Sequence, residues 1–211
     1  MQTTLTNSFP SLIISIISLL VAAATLFMNL FRAAKITLYA GPTGTLGYTP
    51  GGGFGVVLPA TFTNHGARLG AVLRSGVTLW KKDSPQDRYF MQWNAFVKQN
   101  FETNQWTPDE AAHTLAIQSK SIVARTILFL WLPTSQPQIT FQQGTYCLSI
   151  NYWTNKKNPQ GRIYEIELTP DSLKLLTSES GNLTTLVVLD ETITINQHLN
   201  EFGFSKLIKG E

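Results

Sequence analysis

The chain is short of cysteine, of charge, and of basic residues ahead of its one long apolar run, and each shortage excludes something. A single cysteine, Cys147, rules out an intrachain disulfide and any cluster of cysteine metal ligands. It reads as a small buried residue rather than a reactive thiol. Charged residues make up only 14% of the chain and hydrophobic ones 43%, a balance that disordered chains do not show and that can bury a core. The eleven residues before Leu12 contain no Lys or Arg, so the basic leader of a cleaved signal peptide is missing.

Motifs for chemistry are missing too. The three histidines, His65, His113 and His198, lack the helical spacing of a metal pair, and there is no Gly-x-Ser-x-Gly elbow to hold a nucleophile. Gly41 to Gly55 contains seven glycines and two prolines but lacks the Gly-Lys-Ser/Thr ending of a phosphate loop. No catalytic, metal-binding or cofactor-binding residue is expected, and this glycine-rich stretch is expected to be a plain loop.

Positive charge is sparse where nucleic acid would need it. Of 16 basic residues, Arg32 and Lys35 precede every acidic one, which leaves fourteen basic against thirteen acidic residues beyond them. That near neutrality, with only scattered lysine pairs, argues against a polyanion partner.

What is present is a run of twenty residues, Leu12 to Phe31, without a formal charge. At about 1.5 Å per residue it crosses the roughly 30 Å apolar layer of a bilayer as one helix. The sequence therefore divides into a tail (1–11), a membrane helix (12–31) and one soluble domain (32–211). Ser15, Ser18, Ala22, Thr25 and Asn29 recur at alternating offsets of 3 and 4 and form a small, polar stripe on that helix. Small residues let membrane helices approach closely, so the stripe predicts an integral membrane partner or a second copy of the chain. Arg32 and Lys35 are the only flanking cations, and positive flanks stay on the cytoplasmic side. The expected location is a bacterial inner membrane, with the N-terminus outside and the domain in the cytoplasm.

Beyond the span, period-two alternation predicts strands from Lys35 to Ala40, with Val56, Leu58, Ala60 and Phe62 sharing one face of the next. Asn64 to Arg68 reads as a tight reversal in which Asn and Gly supply left-handed backbone. Strand material continues through Leu73 to Trp80, and Lys81 to Arg88 reads as a charged turn. Tyr89 to Val97 is extended, with Phe90, Trp93 and Phe96 ambiguous as to face. Thr107-Pro108-Asp109-Glu110 has the pattern of a helix start, giving at most one turn. Thr169-Pro170-Asp171-Ser172 caps a short helix through Leu176, and strand returns from Thr184 to Asn196.

Gly144-Thr145-Tyr146-Cys147-Leu148 resembles the tyrosine corner of immunoglobulin-like sandwiches, in which a tyrosine hydroxyl bonds back to upstream backbone. Tyr146 would be that tyrosine and Leu148 an inward residue beside it. With the N-terminal span, the basic step and the Thr-Asn-x-Gly-Ala-Arg turn, the chain resembles a broad group of uncharacterised bacterial single-span proteins with one immunoglobulin-like β-sandwich domain. The resemblance implies a mainly β fold: one transmembrane helix, then an antiparallel sandwich with one or two short helices. It implies nothing catalytic.

Aromatic rings beside polar loop residues, Trp106 and Trp153, are the candidates for a partner surface. The expectation is a non-catalytic, membrane-anchored domain that binds a protein partner as an accessory subunit of a membrane assembly. The alternative is a tethered sensor that takes a small ligand at the glycine-rich stretch.

Overall fold

The computed structural model describes residues 8–49, 52–100, 102–103, 105–156, 158–178, 183 and 185–194. The expected features at Gly181 and in the tail after 194 lie outside these residues. Helix α1 spans Ser8–Phe31 and is followed by β1 (Ile36–Ala40), β2 (Thr43–Tyr48), β3 (Phe54–Asn64), β4 (Gly70–Val72), β5 (Arg74–Lys81), β6 (Ser84–Asn100) and β7 (Gln105–Ala111). The chain continues through β8 (Leu115–Ile117), β9 (Ile122–Trp131), β10 (Gly144–Trp153), β11 (Gln160–Leu168), α2 (Pro170–Ser178), β12 (Thr185–Val188) and β13 (Asp190–Thr194).

Residues 10–31 of α1 form a helix long and apolar enough to cross a membrane, and no part of it is buried against the domain. It carries no charged residue in its first or last turn. The rest is mainly β. Strands follow the hydrogen-bonded path β12-β2-β3-β9-β6-β5-β10-β11-β13, with β1 added to β3 and β7 to β6. Every pairing is antiparallel. The two ends of this path, β12 and β13, are separated along the chain by Leu189 alone, so the sheet curls until its edges adjoin. The result is a nearly closed, barrel-like sheet, where the tyrosine step had suggested two facing sheets of a sandwich. Curling brings the two edges of the path together, where a flat sheet would leave them far apart and unpaired.

Alternation fills the interior. Val56, Leu58, Ala60 and Phe62 all turn inward, and they join Leu38, Leu46, Val77, Leu79, Met91, Phe129, Leu148, Ile150 and Ile166 in one buried cluster. A smaller cluster of Val57, Val97 and Leu128 lies on the outer side of β3, β6 and β9. Pro59 is tolerated in the middle of β3 because its missing N–H faces the break between β1 and β2. There the Gly41 N–H donates to the Pro59 carbonyl at 2.7 Å.

Several expectations change. The glycine-rich stretch is not one loop, since β2 and the start of β3 lie within it. Its glycines serve close packing: a Cβ at Gly44 would stand 2.6 Å from Leu58 Cδ2 and one at Gly55 2.7 Å from Leu183 Cδ2. Lys81 to Arg88 is strand on both sides of a turn at Lys82 and Asp83. Thr107 to Glu110 starts no helix, because these residues pair with β6 as an outer strand whose register shifts next to Pro108. A bulge on an edge is where a proline costs a sheet least. Helix α2 begins as expected, with the Ser172 N–H donating to Thr169 Oγ1 at 3.2 Å.

Candidate functional site

Two places bring unusual polar arrangements together: the junction between α1 and the β domain, and an aromatic cleft on the side of the sheet.

The junction is centred on Asn64, whose side chain is fully buried. Its Oδ1 accepts from the Lys35 N–H at 3.2 Å and the Gly66 N–H at 2.9 Å. Its Nδ2 donates toward the carbonyls of Arg68, Ile117 and Gln118 at 2.8, 3.1 and 3.1 Å. One side chain thus ties the linker after α1 to the turn after β3 and to the turn after β8. The Ala67 N–H donates to the Arg32 carbonyl and the His65 N–H to the Lys35 carbonyl, both at 2.9 Å. Gly66 is required by space rather than by a left-handed backbone. A Cβ there would lie 2.2 Å from the Ala33 carbonyl oxygen and 2.6 Å from Ala34 Cα. Beside it, Tyr152 is buried against the linker, with its hydroxyl 2.9 Å from the Ile36 carbonyl and 3.0 Å from Gln160 Oε1. Burial pushes the Tyr152 hydroxyl up to about 12. The linker is therefore part of the folded domain.

The cleft has a volume of about 360 Å³ and is lined by Leu73, Arg74 and Ser75 from the β4–β5 step, Phe90, Gln92 and Trp93 of β6, His113, and Trp153 at the end of β10. The Arg74 guanidinium lies 4.4 Å from the Trp153 ring centre, a cation–π distance, and Phe90 meets the same ring edge-on. Gly76 makes room for Phe90, because a Cβ would stand 2.6 Å from its Cζ. Phe96 packs against both Trp93 and His113. A second hollow of about 120 Å³ shares Phe90, Gln92 and Trp93 and continues to Trp131. The indole N–H groups of Trp93, Trp131 and Trp153 are all buried with no hydrogen-bond acceptor among the described residues. An unmet buried donor costs about 1–3 kcal/mol, so three across two adjoining hollows call for an explanation.

The expected site residues fall in different places. Trp153 lines the cleft, whereas Trp106 is half-buried and packs on the outer cluster of Val57, Val97 and Leu128. Ser15, Ser18, Ala22, Thr25 and Asn29 are exposed along α1. The Ser15 and Thr25 hydroxyls donate to their own helix, to the Ser11 and Val21 carbonyls, which leaves only their oxygens to accept from a neighbour. Arg32 and Lys35 lie exposed in the linker. The Gln142 N–H donates to the Tyr146 hydroxyl at 3.0 Å, and Leu148 is fully buried beside it. Gly144 precedes this step with φ of 137°, a conformation that favours glycine. Cys147 is buried beneath Trp80, and burial raises its thiol pKa.

Sequence reasoning missed Arg74, Phe90, Trp93 and His113 as a group. Phe90, Trp93 and Phe96 are spaced by three, which a regular strand cannot put on one face. The register of β6 against β9 shifts between Trp93 and Ala95, and that bulge brings Trp93 and Phe96 together against the alternation, while Phe90 stays on the exposed face. Among the described residues no group of three His, Cys, Asp or Glu side chains converges as a metal site would require.

No protein-family model and no curated protein sequence matches the chain. Three solved structures share a limited likeness. The candidate lipoprotein ycdA of Bacillus subtilis has a TM-score of 0.37 and 12% identity over 72% of this chain, which spans 42% of that protein's length. The candidate ApaA protein of Bordetella pertussis has a TM-score of 0.30 and 10% identity, with 65% of this chain and 91% of that one covered. The sporulation control protein Spo0M of Bacillus subtilis has a TM-score of 0.31 and 15% identity over 70% of this chain and 56% of its own. At these scores none informs function.

Proposed function

We propose that this chain is a non-catalytic, single-span protein of a bacterial inner membrane, whose barrel-like domain recognises a protein partner as an accessory subunit of a larger assembly. The aromatic cleft is its recognition surface. The observation that carries this reading is the set of buried indole donors at Trp93, Trp131 and Trp153, with the Arg74 cation over the Trp153 ring. A partner segment bearing a carbonyl or carboxylate next to a flat apolar group, docking so that the side chains now sealing those N–H groups move aside, would satisfy the donors and cover the rings. Helix α1 anchors the domain, with Arg32 and Lys35 favouring the cytoplasmic side, and its Ser15–Asn29 stripe faces the same assembly.

A photo-crosslinking residue at Phe90 in the full chain, expressed in its native membrane, tests the reading. A discrete protein adduct is expected at that position and none at Gln86, which is also exposed on β6. Absence of any adduct, with the chain eluting from mild detergent as a lone monomer, would remove it.

The cleft volume favours one further reading, since about 360 Å³ lies in the range of small-ligand sites. The domain would then be a tethered sensor whose ligand enters the cleft rather than the glycine-rich stretch. A thermal-shift screen of small metabolites against the full chain in detergent, read together with the Phe90 crosslink, discriminates, because stabilisation by a free ligand with no protein adduct at Phe90 belongs to the sensor alone.

A further inference from the structure

The segments gathered at the junction carry cations and no acid. There is no Asp or Glu between Arg32 and Lys82 or between Ala111 and Tyr164. Lys120 sits in a left-handed turn with φ of 52°, and its Nζ reaches Asn29 Oδ1 in the last turn of α1 at 3.3 Å. The Arg68 guanidinium lies 5.7 Å from the ring centre of Phe31, the last residue of α1. Arg32, Lys35, Arg68 and Lys120 form no ion pair among the described residues. Between them Leu69 and Ile122 are each 65% exposed, although each adjoins backbone held by the Asn64 network. A rigid turn that presents leucine and arginine to water is an odd surface for an aqueous end of a domain.

We infer that this collar rests on anionic lipid headgroups, with Arg32, Lys35, Arg68 and Lys120 on the phosphates and Leu69 dipping toward the acyl boundary. The inference rests on the reading of α1 as a membrane anchor. Given that anchor, the geometry sets the level, because Arg68 and Lys120 touch the last turn of the span, where the headgroup layer begins. Long basic side chains keep their charge in that layer while their stems lie along apolar surface. The Asn64 ties and the tight passage of the linker past Gly66 leave the domain no slack to swing away, so the base is held flat on the bilayer. An anionic leaflet then holds the domain in one pose, with the aromatic cleft at a fixed height for its partner.

The test uses the full chain with Cys147→Ser and a fluorophore on Leu69→Cys, reconstituted in phosphatidylcholine alone or in an equal mixture with phosphatidylglycerol. Strong quenching by a lipid-borne nitroxide is expected in the anionic mixture and weak quenching in phosphatidylcholine. Arg68→Gln and Lys120→Asn should each lower the ratio of docked to undocked domain about fivefold, the effect of one surface cation. Asparagine is chosen at 120 because it tolerates left-handed backbone. A label at Gln86 should not respond to lipid charge. Release of the chain by alkaline carbonate would overturn the anchor and the inference together. Retention with a Leu69 label equally exposed in both lipids, or quenching unchanged in the double variant, would overturn the inference alone. Protection in native membranes but in neither liposome would assign the collar to an acidic protein instead and overturn it as well.

Discussion

The junction and the cleft are opposite solutions to the same problem of burying polar atoms. At the junction Asn64 is fully buried, and both ends of its amide are matched to backbone partners from three chain segments. Along the cleft and the hollow beside it, Trp93, Trp131 and Trp153 bury donors that nothing among the described residues accepts. A satisfied network rigidifies, while an unsatisfied one holds free energy that a suitable ligand releases. The contrast separates a junction that is complete by itself from a cleft that, on the proposed reading, becomes complete with a second molecule.

The largest expected effect breaks the complete half. Asn64→Ala strands the N–H groups of Lys35 and Gly66 and frees the turn carbonyls, and should cost about 3–5 kcal/mol. Thermal unfolding of the full chain in detergent, followed by tryptophan fluorescence, should then fall by about 10 °C or more. Gly66→Ala comes next. Its Cβ would meet backbone of Ala33 and Ala34, which only a displaced linker relieves, at about 2–3 kcal/mol. If both variants melt like the parent, the junction is not the rigid half of the comparison.

How much of this was legible in the sequence differs between the two regions. The long apolar helix, the inward set of Val56, Leu58, Ala60 and Phe62, and the cap at Thr169 follow from local patterns, because hydropathy, alternation and capping are short-range physics. The reversal at Asn64 to Arg68 was visible, but its reasons were not. Asn64 works through side-chain bonds to Ile117 and Gln118, far along the chain, and Gly66 through contact with the linker. Closure of the sheet depends on β12 and β13 meeting opposite edges, a property of topology that no window of residues records. The cleft was hidden by the bulge near Asn94, which places Trp93 and Phe96 against the alternation rule.

An intermediate effect comes from pH. Tyr152 ionises near 10 when unfolded and near 12 in the folded domain, where burial opposes the phenolate. A raised folded value means that this contribution is whole below pH 10 and is lost as pH climbs from 10 to 12. The loss should be on the order of 2 kcal/mol. Tyr152→Phe should melt lower than the parent at pH 8, since it gives up the bond to the Ile36 carbonyl, yet decline less steeply above pH 10. Parallel pH profiles for the two proteins would show that this tyrosine is not sealed against the linker.

The smallest effect on stability is expected where the cleft is least complete, at Trp93. Trp93→Phe removes an N–H that has no acceptor and keeps a ring able to meet Phe96 edge-on, as the indole does at 5.1 Å. The lost apolar area and the relieved donor are each worth about 1–2 kcal/mol and oppose one another, so the melting temperature should move by no more than a few degrees. Partner adducts at Phe90 should nevertheless weaken, because the donor that had no use in the free protein is the one a ligand would engage. A polar group that matters for binding and not for folding is the signature of a recognition site, and Asn64 should show the reverse. Should Trp93→Phe unfold the domain while leaving adducts intact in the folded fraction, its N–H belongs to the scaffold, and the distinction between the two regions fails at a residue both hollows share.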